Sequence, residues 1–122
     1  MGSWAEVQRP TFEIQIRGHA DRRALILRGE MDMGTAAQLD GALQTICSHG
    51  AREVVLDLRG LDFIDTTGLR TLLAGHDFCA QHDCQYFIDP TLPPAVERVF
   101  ALTGVSDHFG FKRCEDSPED VG

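Results

Sequence analysis

Residues 63–73 read FIDTTGLRTLL. A carboxylate, Asp65, is followed at once by two hydroxyls, Thr66 and Thr67, then by Gly68, Leu69 and a leucine-rich stretch. Asp and Thr are good helix N-caps, because a side-chain oxygen accepts from a free amide of the first turn. A plain helix start is therefore one reading. One cap suffices, however, and three candidate oxygens are present. Gly68 in the first turn costs up to about 1 kcal/mol against alanine, and glycine suits a place where another backbone comes close. A hydroxyl at a helix N-terminus also stands where a phosphate is stabilised by free amides and by the positive end of the dipole. Phosphorylation adds about -1.5 to -2 charges at neutral pH. Beside Asp65 and Asp62 that change would transform how the surface meets a partner. The chemistry indicated is a switch: docking while the hydroxyl is free, rejection once it is phosphorylated. Phe63, just ahead of the acid, reads as buried.

Other chemistries find less support. The chain has no glycine-rich phosphate loop with lysine, and Lys112 is its single lysine. It has no G-x-S-x-G elbow. Asp65 could serve as an aspartyl nucleophile, but such sites need a metal and converging carboxylates. Asp57 is the obvious second acid, and a mid-strand position can turn it away. The four cysteines, in a chain with a full core, read as reduced thiols. The sharpest metal set is Cys79, His82 and Cys84, with His76 one helical turn before Cys79. Its spacing matches no common ligand pattern, so no metal and no cofactor is expected; a small apolar thiol on a helix is the plainer reading.

Net charge is -8 over 122 residues, with 43% hydrophobic residues. That balance gives one real core and argues against binding nucleic acid or an anionic membrane by charge; a basic partner protein is more natural. No run approaches the ~18 apolar residues of a membrane span, and MGSWAEVQRP lacks the features of a secretory leader. A cytoplasmic location is expected.

The elements that must position Asp65 to Gly68 follow from periodicity. Residues 11–18 alternate Phe12, Ile14 and Ile16 against polar neighbours, as a half-buried strand does. A turn leads to a second strand over 24–32, forming a hairpin. Residues 35–50 carry Ala36, Leu39, Leu43, Ile46 and Cys47 on one helical face, with Thr35 and Gln38 as a capping box and Gly50 as the stop. Residues 52–60 form a central strand ending near Leu58, with RGLDFIDTTG as the loop after it. Leu69, Leu72, Leu73, His76 and Cys79 trace a second helix face, and 84–90 is a further strand. A third helix spans 92–104, opened by Pro93 or Pro94, closed by Gly104 and facing inward through Val96, Val99, Phe100 and Thr103. A short strand near 108–111 closes the sheet. Residues 1–10 read as a loose lead-in and 112–122 as an acidic, disordered tail. The order predicts one α/β domain with a mixed, mostly parallel sheet of four to five strands and a hairpin at one edge. In such sheets, sites gather past the C-terminal ends of the central strands, where the loop with Asp65 lies.

Two segments carry a resemblance to a known family. GEMDMGTAAQLDGAL (29–43) and VVLDLRGLDFIDTTGL (54–69), with the helix before Gly104, resemble a STAS domain of the anti-sigma factor antagonist type. The family pattern has G-E-L-D and later D-S-S-G-L. Here these read Gly29-Glu30-Met31-Asp32 and Asp65-Thr66-Thr67-Gly68-Leu69. The likeness runs over residues 11–111. It implies helices packed mainly on one face of the sheet and a protein that is not an enzyme. It also implies an anti-sigma factor as partner, often itself a serine kinase, whose capture frees a sigma factor. By the same resemblance the kinase phosphorylates the second hydroxyl, here Thr67, with Thr66 as second choice, and a phosphatase resets it. Glu30, Asp32, Asp65, Thr66, Thr67, Gly68 and Leu69 would form the partner-binding surface of a chain that is monomeric when free. Threonine stands where the pattern has serine; its methyl restricts χ1. Threonine at this place also fits a non-phosphorylated STAS scaffold, or a subunit of a stress-signalling assembly or membrane transporter, and that reading stays open beside the first.

Overall fold

The computed structural model describes residues 12–19 and 21–114; the lead-in expected at 1–10 and the tail beyond 114 lie outside them. Strands β1 (Phe12–Gly18) and β2 (Arg22–Met31) come first, then helix α1 (Ala36–Ser48), β3 (Glu53–Ile64), α2 (Thr66–Gln81), β4 (Gln85–Ile88), α3 (Pro94–Thr103), a 3-10 turn (Val105–His108) and β5 (Gly110–Phe111). The strands lie side by side in chain order, β1-β2-β3-β4-β5. The β1–β2 pair is antiparallel, as the hairpin requires, and each later pair is parallel. Right-handed crossovers that all step the same way place their helices on the same face.

The core shows this directly. Ile16, Leu25, Leu56, Ile88 and Phe111 form one cross-sheet row. Its middle members are fully buried, while Ile16 and Phe111, on the two edge strands, are 42% and 40% exposed. The helices cover the middle of the sheet and leave the edges open. Tyr86 ties the layers together: its hydroxyl donates to the Leu72 carbonyl at 2.8 Å, and its ring meets Phe109, which stacks on Phe100 of α3. Gly75 lets α1 and α2 close over this ring, since a Cβ there would lie 2.7 Å from Leu43 Cδ1 and 3.0 Å from the Tyr86 hydroxyl.

The opposite face is held by charge. Asp57, 3% exposed, accepts from the Arg59 backbone N–H at 3.0 Å and from its Nη2 at 2.7 Å. Burial pushes the Asp57 carboxyl up, but the Arg59 hydrogen bonds and charge, with Arg28 nearby, more than offset it and hold it below the ordinary aspartate value. Lys112 donates to Glu53 at 2.8 Å and lies over the Phe87 ring. The Cys114 N–H donates to Asp89 Oδ2, so residues 112–114 are fastened to the sheet rather than belonging to a loose tail.

Several boundaries differ from expectation, each for a local reason. β3 runs to Ile64, not to Leu58. Its alternation is broken where Leu58 and Arg59 oppose Leu27 alone, and again where Asp62 is inserted between two paired positions. Each irregularity adds one residue to one strand, as a β-bulge does, so the polar letters read as a loop. Phe63 is 47% exposed, not buried. Thr103 is also exposed, its hydroxyl donating to the Val99 carbonyl at 2.7 Å. Thr35 forms no capping box. It is buried and its hydroxyl donates back to the Glu30 carbonyl at 2.8 Å. The expected stops hold. Gly50, at φ 93°, follows the last turn of α1, and the Ala51 N–H reaches the Ile46 carbonyl at 3.0 Å, a Schellman closure. Pro94 opens α3 and Gly104 ends it in the left-handed region.

Candidate functional site

The parallel strands β2 and β3 end side by side, with Glu30 opposite Phe63 and Met31 opposite Ile64. Two helices start from that edge, so their first turns are neighbours. The Asp65 N–H donates to the Met31 carbonyl at 3.2 Å, joining the two junctions. Asp65 is then extended (φ -108°, ψ -174°), and its carboxylate accepts from the Gly68 N–H at 2.8 Å. The cap expected at Asp65 is present.

Asp65 is also the whole of the cap. Among the described residues' hydrogen bonds, none engages the hydroxyl of Thr66 or Thr67, so the idea that these hydroxyls cap the helix is corrected. The N–H groups of Thr66 and Thr67 have no intrahelical acceptor, because they belong to the first turn. Thr66 is exposed and Thr67 half-buried. Two spare hydroxyls therefore sit on free amides at the positive end of a sixteen-residue helix.

Gly68 is explained from inside the molecule. A Cβ there would lie 2.5 Å from the Met31 carbonyl oxygen and 3.0 Å from Ile64 Cγ1. The close approach it permits is that of β2, not of a partner. Leu69 is 5% exposed and supports the site from the core. Of the expected surface, Gly68 and Leu69 are thus foundations, while Glu30 and Thr66 stand in solvent.

Asp32 shapes the facing turn. One carboxylate oxygen accepts from the Gly34 N–H at 2.9 Å, from the Thr35 N–H at 3.1 Å and from the Thr35 hydroxyl at 3.1 Å. This knot orients the start of α1 and presents Met33, 77% exposed. Between the helices runs an open groove of about 350 Å³, lined by Ala36, Ala37 and Asp40 on α1 and by Thr67, Arg70, Thr71 and Ala74 on α2. The structure thus adds three residues that motif reading missed: Arg70, one helical turn beyond Thr67, and the exposed apolar pair Met33 and Phe63. Helical spacing from Thr67 could have found Arg70. The apolar pair carried no such signal, because hydrophobic letters read as core.

Asp57 does not converge on this site. It lies opposite Ile26, on the sheet face that carries no helix among the described residues, with its oxygens occupied by Arg59. The second carboxylate that an aspartyl-phosphate enzyme would want is therefore spoken for elsewhere.

The metal set weighed from spacing does not assemble either. His82 Nδ1 bonds the Phe78 carbonyl at 2.8 Å and its ring lies against Phe78. His76 meets Asp77 at 3.3 Å and the edge of Tyr86. Cys79 and Cys84 instead meet Cys47, with the sulfurs all within 4.8 Å of one another. Burial pushes the Cys79 thiol far up, the neighbouring cysteines adding to it, and pushes Cys84 up to about 11.

Comparison with known proteins gives a consistent picture. The STAS domain family matches residues 12–120. The anti-sigma-B factor antagonist of Staphylococcus aureus is 27% identical over 79 residues, covering 65% of this chain and 72% of that protein. An anti-sigma factor antagonist from Mycobacterium paratuberculosis superposes with a TM-score of 0.68 at 22% identity, over 90% of both chains. The anti-sigma factor antagonist SpoIIAA in its unphosphorylated form superposes at 0.69 with 17% identity, over 89% of this chain and 92% of that one. The Bacillus cell fate determinant SpoIIAA in the phosphorylated form superposes at 0.65 with 16% identity, over 90% of this chain and 100% of that one.

Proposed function

The chain belongs to the STAS domain family, and from that premise we propose that it is an anti-sigma factor antagonist switched by phosphorylation of Thr67. The partner is an anti-sigma factor with serine/threonine kinase activity, whose capture releases a sigma factor in the cytoplasm; a phosphatase restores the free hydroxyl, and the unbound chain is a monomer. Relatives named anti-sigma factor antagonists support the role. The occurrence of SpoIIAA in phosphorylated and unphosphorylated forms supports the switch. Among the described residues no helix is long and apolar enough to cross a membrane.

The observation that carries the reading is the state of the Thr67 hydroxyl. Asp65 alone satisfies the cap, so the hydroxyl is spare. It lines an open groove with Arg70. A phosphate on Thr67 would meet free amides, the helix dipole and a cation one turn on, all of which stabilise it. The domain would tolerate the modification while the docking surface becomes strongly anionic. Glu30, Asp32, Asp65 and Thr66 complete that surface, with Met33 and Phe63 as its apolar anchors.

The test is mass spectrometry of the protein from its native cells, with co-purifying proteins identified together. A stable phosphate on Thr67, and unmodified copies bound to an ATP-binding anti-sigma factor, is the expected result. Phosphate on Thr66 alone would move the acceptor by one residue. No phosphate under any growth condition, with a scaffold or transporter subunit captured instead, would overturn the switch.

A further inference from the structure

The far end of α2 holds a second cluster of chemically capable side chains, unrelated to docking at the first. Cys79 lies on the last turns of α2, Cys47 near the end of α1 and Cys84 just ahead of β4. At about 1.5 Å per helical residue, Cys79 is roughly 20 Å along the helix from Asp65. The three sulfurs lie within 4.8 Å of one another, Cys47 and Cys79 at 3.9 Å. Cys79 is fully buried and Cys84 4% exposed, while Cys47 is only partly buried and is the member of the cluster nearest to solvent.

This spacing suits one small atom capping three sulfurs. With bonds of about 2.3 Å, a pyramidal three-coordinate centre, whose lone pair takes the fourth direction, holds its sulfurs roughly 3.5 Å apart, so the three side chains need to draw in only slightly. A disulfide would instead need about 2.05 Å, so a pair would have to move well inward. Ligand number and charge choose among thiophilic ions. Structural zinc takes four donors, and the cluster has three. A divalent ion on three thiolates leaves one negative charge, and a monovalent ion leaves two, beside the buried Cys79 and Cys84. Buried unpaired charge is costly. A trivalent centre leaves none.

We propose that Cys47, Cys79 and Cys84 form a binding site for trivalent arsenic, taken up as arsenous acid. Three S–H and three As–O bonds break, and three As–S bonds form. Each thiol proton leaves with a hydroxyl as water. Nothing is oxidised or reduced, and the net charge is zero before and after. Cys47 reacts first because it is the one that solvent reaches; Cys79 and Cys84 follow by exchange within the core. The complex would clamp the C-terminal ends of α1 and α2 to the start of β4.

The test titrates the reduced, full-length chain with sodium arsenite without oxygen, following intact mass, near-ultraviolet sulfur-to-arsenic absorption and Tm. The expected result is one arsenic per chain in place of three protons, a new absorption band and a raised Tm. Cys47→Ala, at the least buried of the three positions, should lose uptake at concentrations that saturate the parent. Cys114→Ala should keep it, and the arsenite-free Tm of both variants shows that they fold. No uptake by the parent would overturn the site, as would equal uptake by Cys47→Ala. Tighter one-to-one binding of zinc than of arsenite would overturn the charge argument. A Cys47–Cys79 disulfide formed with mild peroxide in a chain that takes up no arsenite would make the cluster a redox pair instead.

Discussion

Asp65 and its two threonine neighbours look interchangeable as letters, yet they divide the work sharply. The carboxylate holds Gly68 N–H at 2.8 Å, and neither threonine hydroxyl shares that duty. Asp65→Ala should therefore cost about 0.5–2 kcal/mol in urea unfolding, while Thr66→Ala, at an exposed position, should change stability by less than about 0.5 kcal/mol. Equal losses in both would mean that the hydroxyl caps after all. Gly68→Ala places a methyl against the backbone oxygen of Met31 and should cost about 1–3 kcal/mol, as overpacking does. The acid at the helix mouth was readable from sequence because caps are local. The role of Thr35 was not, because its partner, the Glu30 carbonyl, lies on the preceding strand, and the choice between capping forward and bonding backward is made by the turn that Asp32 ties.

At the scale of elements, the long strand β3 shows where periodicity succeeds and where it fails. Val54, Val55, Leu56 and Leu58 were legible as one buried apolar run, and helix stops at Gly50 and Gly104 followed from glycine alone. The stretch from Arg59 to Ile64 was not legible, since two bulges shift which letters face inward. The ion pair that straddles the first bulge makes a testable contribution. Asp57 is held below its ordinary value of about 3.9, so its stabilisation is full above that pH and is lost as pH falls below it, through the depressed value. Arg59→Ala leaves the buried carboxylate without its main partner. The cost should be about 1–3 kcal/mol near neutrality, moderated because the Arg59 side chain is 54% exposed. Burial is then opposed only by the residue-59 backbone N–H and by Arg28, and the Asp57 pKa rises. Urea unfolding across pH should therefore show the deficit shrinking on acidification, as protonation removes the unpaired charge. A deficit independent of pH would assign the loss to packing of the arginine stem.

For the whole molecule, the proposed function asks the same edge of the sheet to present a switch without endangering the fold. A negative group in the first turn of α2 meets the positive end of the helix, so Thr67→Glu should leave stability unchanged or raise it by about 0.3–1 kcal/mol. Partner binding responds to a different quantity, the charge of the docking surface. A carboxylate at position 67 is larger than the hydroxyl and costly to desolvate without a partner of its own, so it opposes any surface shaped for the unmodified threonine. Thr67→Glu should therefore lose the anti-sigma factor, while Thr67→Ala binds it and cannot be released by ATP. Met33→Ala and Phe63→Ala remove exposed apolar area. Each should weaken binding by about tenfold or more if it is an anchor, chiefly through faster dissociation. Calorimetry of the partner complex, run beside thermal unfolding of each variant, separates these effects. Intact folding with lost binding in Thr67→Glu is the signature of a surface switch. Lost folding in that variant would show instead that the helix start cannot carry the charge, and intact binding would place the partner on another face of the sheet.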